Sequence, residues 1–259
     1  MKTTKSKDGT TIAYDVYGNG PALIFVTGAT CFRSFEPVLH DATVFAEQFT
    51  VYNYDRRGRG DSGNTLPYTI ERELEDIEAM INVAGGEAFV YGHSSGAILA
   101  LEAAMLLGDK VSKLVIYDPA YSHDEENQKE FIALSKVLKK MLDQGNHDEA
   151  IRYFLEGIGI PEEVIGYMQQ SPQWSTMLTL APTLAYDTLI AKELPPVERI
   201  SQLITPTQII IGEKSPTSIH EVADQISNAI PHAEYIKLKG EDHMPNPEVV
   251  LQVLTRFLK

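Results

Sequence analysis

The chain has 259 residues, 43% of them hydrophobic and 22% charged, which is enough to bury one large core and suits a single α/β domain with an insertion better than two separate domains. A formal charge of −14 repels nucleic acid and anionic membrane at long range, which argues against both as partners, and a lone cysteine, Cys31, excludes an intrachain disulfide. The first residues, Met1-Lys2-Thr3-Thr4-Lys5, lack the apolar run of a signal peptide and no apolar stretch reaches about 18 residues, so the expectation is a cytoplasmic protein without a membrane span.

Short apolar, β-prone runs occur at residues 12–16, 23–27, 51–54, 88–91, 114–117, 208–211 and 234–238, with helical patterns between most of them. That alternation predicts an α/β fold: a mostly parallel, twisted sheet covered by helices on both faces. Tyr17-Gly18-Asn19-Gly20-Pro21 joins the first two runs with turn chemistry and no room for a helix, so these strands are expected to pair antiparallel. The charge-dense segments at 71–78 and 124–130 read as exposed helix faces. Between Asp118 and Pro206 the rhythm changes to helical patterns at 127–144 and 147–156, then shorter pieces broken at Pro161, Pro172, Pro182 and Pro195-Pro196, with no strand. An all-helical insertion between two strands reads as a cap. The expected division is a core of residues 1–119 and 206–259 and a cap of residues 120–205, with a terminal helix over 248–258.

The most informative stretch is Gly92-His93-Ser94-Ser95-Gly96, preceded by the apolar run Ala88-Phe89-Val90-Tyr91 and followed by a helix-like segment over 97–107. A serine between two glycines, at a turn from strand to helix, is the arrangement that presents a hydroxyl on a strained backbone, so Ser94 is the nucleophile candidate. A serine hydroxyl is a poor nucleophile at neutral pH and needs a base. Of seven histidines, His243 follows the last strand-like run on a loop at the carboxyl edge of the sheet, the side from which the Ser94 turn emerges. His93 adjoins the serine but points elsewhere in a tight turn, and His123 reads as a solvated loop residue; His40, His147, His220 and His232 read as surface residues.

The base needs a carboxylate to hold its tautomer. Two positions compete. Asp118, in Tyr117-Asp118-Pro119, lies just past the strand after the nucleophile helix, and Glu213 follows the run at 208–211; Asp118 is preferred over Glu213, and Asp242 ranks below both. Ser215 stands where an aspartate would be sought, and a hydroxyl can orient histidine without offsetting its charge. The oxyanion needs two preorganised donors. The Ser95 amide, at a helix N-terminus, is one; the Ala29 amide, after Thr27-Gly28, is the other, with Thr30 its neighbouring alternative. Cys31, close by, reads as an inert apolar residue.

Taken in order, Asp8-Gly9-Thr10-Thr11-Ile12-Ala13-Tyr14, Thr27-Gly28-Ala29, Tyr54-Asp55-Arg56-Arg57-Gly58-Arg59-Gly60-Asp61-Ser62, the Gly92 to Gly96 turn and Asp242-His243 make the chain resemble the α/β-hydrolase superfamily over nearly its whole length. The superfamily includes esterases, lipases, thioesterases, epoxide hydrolases, dehalogenases, C–C hydrolases and cofactor-free haloperoxidases, so the resemblance implies the fold rather than one reaction. A serine in the turn argues against the epoxide hydrolases and dehalogenases, which need a carboxylate nucleophile. Some members carry the acid after the earlier strand, which matches Asp118. The block from Asp55 to Ser62 is expected to fix the turn beneath the site rather than touch substrate.

The resulting expectation is a carboxylesterase-like serine hydrolase acting on a small to medium ester or related carbonyl substrate, with no metal or organic cofactor. C–C bond hydrolysis and perhydrolase chemistry use the same residues and stand as alternatives. A non-catalytic ligand-binding protein of the same fold is the rival from another class, and it requires Asp118 to lie out of reach of His243. Phe131, Tyr153, Phe154, Met168, Trp174, Met177 and Tyr186 supply apolar surface to the cap, most of it expected to form the cap's own core.

Overall fold

The computed structural model describes residues 1–158, 160–172 and 174–259. Eight strands form one sheet in the order β1-β2-β4-β3-β5-β6-β7-β8: β1 (Lys2–Lys5), β2 (Thr11–Tyr17), β3 (Ala22–Val26), β4 (Thr50–Tyr54), β5 (Ala88–His93), β6 (Val111–Tyr117), β7 (Thr207–Gly212) and β8 (Glu234–Leu238). From β4 to β8 all pairings are parallel. β1 carries no apolar signal, because Lys-Thr-Thr-Lys is an edge strand that gains its order by hydrogen bonding to β2.

One expected pairing is corrected. β2 is antiparallel, but to β1 and β4; it does not pair with β3. The connecting Gly18 and Gly20 lie against the backbone of residues 46–49, where a Cβ on Gly18 would collide with the Ala46 and Phe49 carbonyls. The chain therefore steps over the turn leading into β4, which takes the place between β2 and β3.

Strand side chains alternate between two cores, as a pleated sheet with both faces covered requires. Ile24, Val26, Leu114, Ile116, Ile209 and Ile211 face α2 (Ile70–Ala84), α3 (Ser95–Leu107) and α10 (Thr217–Ala229). Leu23, Phe25, Val115, Tyr117 and Ile210 face α1 (Glu36–Phe45) and α11 (Pro247–Leu258). α3 is apolar on all sides and buried along most of its length, consistent with a central helix packed on the sheet and under α2 and α8 (Leu184–Ala191).

The reading of 71–78 as an exposed face is also corrected. α2 turns Glu73 and Asp76 inward, fully buried, because Arg56 and Arg57 are buried beside them: Arg57 Nε and Nη2 donate to Asp76 at 2.7 Å each, and Arg56 Nη2 donates to Glu73 at 2.7 Å. Acids this deep persist only when paired, and removing one partner of such a pair costs about 3–5 kcal/mol.

Between β6 and β7 the described residues form α4 (Glu125–Asp143), α5 (His147–Gly157), α6 (Glu162–Gln169), α7 (Trp174–Leu180), a short 3-10 turn, α8 and α9 (Val197–Ile200), with no strand. This insertion has its own core, in which Phe154, Trp174 and Met177 are buried and against which Phe131, Tyr153 and Met168 pack. Tyr186 instead leaves that core: its ring stacks on Tyr68 at 3.8 Å between centroids and its hydroxyl bonds Asn64. No described helix is long and apolar enough to cross a membrane.

Candidate active site

The parallel register brings the candidate residues to one edge of the sheet. His93 is opposite Tyr117 in the β5–β6 pair, so the next residues, Ser94 and Asp118, leave the sheet side by side; the Ser94 amide donates to the Tyr117 carbonyl at 3.0 Å. Ser94 has φ 58° and ψ −124° and opens directly into α3. Gly92 and Gly96 make this turn possible. A Cβ on Gly96 would overlap the Val26 carbonyl, and one on Gly92 would overlap the Gly96 carbonyl and lie 2.7 Å from Ala97 Cα. Among the described residues only Thr30, Ser94 and Asp118 combine a side chain with positive φ, and all three are candidate-site residues or their neighbours. Such backbone persists only where surrounding packing over-determines it, at about 1–3 kcal/mol each.

Asp118, His243 and Ser94 form a hydrogen-bonded chain. His243 Nδ1 lies 2.9 Å from Asp118 Oδ2, and Nε2 lies 3.2 Å from Ser94 Oγ. Because a carboxylate only accepts, Nδ1 carries the proton and Nε2 offers its lone pair to the serine hydroxyl. Asp118 is fully buried and accepts further bonds from Ser215 Oγ at 2.6 Å and the Gly212 amide at 3.2 Å. Ser215 thus serves the carboxylate that stands one strand away. Glu213 is exposed and accepts from the Gly240 amide instead. Asp242 turns its carboxylate to the Met244 amide.

Two side chains, the buried Tyr117 and the half-buried His93, hold the histidine loop. Tyr117 Oη donates to the Asp242 carbonyl at 2.6 Å, and His93 Nε2 lies 2.8 Å from the His243 carbonyl. Burial pushes the His93 imidazole down to about 4, with the neighbouring His243 adding to the effect, so it is neutral and its Nε2–H donates to that carbonyl. Its ring centroid is 4.9 Å from that of His243. His93 is therefore a support for the loop, a role invisible in the sequence because the contact joins residues 150 apart. His123 faces Asp124 and Glu221 and takes no part.

The turn after β3 lies against the serine: a Cβ on Gly28 would come within 3.0 Å of Ser94 Cβ. The Ala29 and Ser95 amides flank this contact in sequence, and neither finds a backbone acceptor among the described residues. Cys31 is held in its thiol form, its pKa pushed up by burial to about 11.

The sequence matches the Alpha/beta hydrolase family over residues 23–253. The chain belongs to that family. This alpha/beta hydrolase is 37% identical to a crystal structure of an alpha/beta hydrolase from Sphaerobacter thermophilus, with all of both chains covered and a TM-score of 0.88. It is 26% identical to a 2-(acetamidomethylene)succinate hydrolase from Mesorhizobium japonicum over 93% of this chain and 89% of that protein. It is also 29% identical to the proline iminopeptidase PfmaB of Pestalotiopsis fici, but that match spans 46% of this chain and only 44% of the relative's length.

The Asp55–Ser62 block of the hydrolase lies beneath the turn after β3. Asp55 accepts from the Arg33 and Asp61 amides and pairs with the Arg33 guanidinium at 2.8 Å. Arg56 and Arg59 reach further, to the backbone of residues 27–31 and to Asp187 on α8. Asp187 carries no signal in the sequence, where it is one acid in an otherwise apolar helix; that it is 2% exposed is the structural sign that it has a partner.

Proposed function

We propose that the protein is a serine hydrolase that cleaves a small to medium carboxylic ester or a related acyl substrate. The observation that carries this reading is the unbroken chain from Asp118 through His243 to Ser94, at 2.9 and 3.2 Å, with the imidazole proton on the Asp118 side. His243 Nε2 removes the Ser94 proton as Oγ adds to the carbonyl carbon, and the Ser95 and Ala29 amides receive the oxyanion. Collapse of the tetrahedral adduct expels the alcohol, protonated by His243, and leaves an acyl-serine. Water, deprotonated by the same nitrogen, then adds to the acyl carbon and releases the acid and the serine hydroxyl. Asp118 stays ionised throughout and stabilises the imidazolium.

The His243 side chain is 38% exposed, which gives water and substrate access to the reacting nitrogen. The helical insertion is the cap that selects substrate. Similarity over 93% of the chain to a relative named as a hydrolase supports hydrolysis, and the short Asp118–His243 contact favours an enzyme over a non-catalytic binder.

Intact mass after treatment with a fluorophosphonate, on wild type and Ser94→Ala, tests the reading. One adduct on wild type alone, together with turnover of p-nitrophenyl esters, is the expected result. An unlabelled wild type that leaves small esters intact would overturn it. Product analysis on β-diketones, with peroxide-dependent halogenation alongside, separates ester hydrolysis from C–C cleavage and perhydrolysis.

A further inference from the structure

We propose that Asp187, on α8 of the helical insertion, is a positioning residue that holds the two oxyanion amides in register through Arg56, Arg59 and the Ser95 hydroxyl. This rests on the serine-hydrolase reading above and adds to it a residue outside the catalytic chain.

A trans peptide points its carbonyl and its N–H in opposite directions, so whatever grips the carbonyl of one residue aims the amide of the next. Arg59 Nη1 donates to the Gly28 carbonyl at 2.6 Å, and that peptide's other end is the Ala29 N–H. Arg56 Nη1 donates to the Thr27 carbonyl at 3.3 Å, one peptide earlier. Both guanidiniums therefore hold the carbonyl side of the turn after β3 and fix where the Ala29 amide is directed. On the second oxyanion residue, Ser95 Oγ donates to Asp187 Oδ1 at 2.8 Å and lies 3.2 Å from Arg56 Nη1.

Asp187 is where these threads meet. Arg59 Nη2 donates to its two oxygens at 2.9 and 2.7 Å, and Arg56 Nη1 to Oδ1 at 3.1 Å. Arg56, Arg59 and Asp187 are all at most 2% exposed, so solvent does not screen them. Burial acts to raise the Asp187 carboxyl, but Arg59 and Arg56 outweigh it and hold it below the usual range, so it remains ionised. Arg56 has Glu73 as a second partner, whereas Asp187 is the one carboxylate paired with Arg59 among the described residues. A second contact links the same parts: the Ala29 side chain packs against the apolar core of the insertion. Seating of the insertion is thereby coupled to the geometry that stabilises the oxyanion.

The test measures kcat and KM on a p-nitrophenyl ester, with inhibition by phenylboronic acid, whose tetrahedral serine adduct places an oxygen among the oxyanion donors. Asp187→Asn keeps the shape and removes the charge. The expected result is a kcat about 100-fold lower at nearly unchanged KM, with boronate affinity falling by a similar factor, as misalignment of oxyanion donors requires. Ser95→Ala, which removes one anchor and leaves both arginines paired, is expected to lower kcat and boronate affinity together by about tenfold with an unchanged melting temperature; it decides the matter if Asp187→Asn does not fold. Folded variants with kcat within threefold of wild type, or a change confined to KM, overturn the proposal. A wild type that neither turns over esters nor binds boronate overturns the serine-hydrolase reading itself, whereas an active wild type with unaffected variants overturns only the role of Asp187.

Discussion

Asp118→Asn probes the proposed mechanism at its most specific point, because the surroundings of that carboxylate dictate how an amide would sit. Three donors converge on it: His243 Nδ1 and Ser215 Oγ on Oδ2, and the Gly212 amide on Oδ1. The Gly212 amide can only donate, while a serine hydroxyl can turn and accept. If asparagine placed its NH2 beside Gly212, a buried donor would face a donor, at about 1–3 kcal/mol. The reversed side chain satisfies every group: its oxygen accepts from Gly212 and its NH2 donates to Ser215 and to His243 Nδ1. That arrangement moves the imidazole proton to Nε2, where it faces Ser94 and can no longer accept the serine proton.

The expected loss in kcat is about 10⁴-fold, the size seen when a catalytic imidazole is held in the wrong tautomer, or about 5 kcal/mol of barrier. The fold should persist, since asparagine tolerates the left-handed backbone at this position, φ 46°. Steady-state and burst kinetics on a p-nitrophenyl ester, with melting curves as a control, make the measurement. Retention of more than a tenth of wild-type kcat would refute the assignment, and a larger loss from Glu213→Gln would move the acid to that residue.

Two further outcomes follow from the packing and the charges. Gly96→Ala must push α3 off β3, because its Cβ overlaps rigid backbone, and it is expected to lower the melting temperature by about 6–12 °C; Gly166→Ala, with nothing within 4 Å, should match or exceed wild type, and equal losses from both would refute the steric account. Asp41 and His93 line one cavity of about 290 Å³ between α1 and α11. Burial raises the Asp41 carboxyl to about 7, against the opposing pull of His40, so the ionised form is disfavoured in the folded state. The penalty is absent below the unfolded value near 4 and complete above 7. Asp41→Asn should therefore stabilise the protein progressively from pH 4 to 7 and level off above, by at most about 4 kcal/mol, less for a partly exposed group. Denaturant unfolding across pH checks this, and a pH-independent difference would refute it.

Local chemistry made much of this molecule readable. The short apolar runs from 12–16 to 234–238 marked seven of the eight strands, because the central strands, covered on both faces, are apolar along their length. The glycines at 92 and 96 marked the Ser94 turn, because only the absence of a Cβ lets α3 approach β3. The rest depended on contacts between distant residues. Strand order, which inserts β4 between β2 and β3, is set by packing across the sheet rather than by the short Tyr17–Pro21 connection. Glu73 and Asp76 look like solvated helix acids until Arg56 and Arg57 are brought beneath them. Asp118 and Glu213 remained rivals in one dimension, since both follow strands; only the parallel register of β5, β6 and β7 puts Asp118, with Ser215 at its side, against His243. The contacts of Asp187 with Arg59 and Ser95 join residues 128 and 92 apart and exist only because the insertion folds back over the sheet edge, which no local pattern encodes.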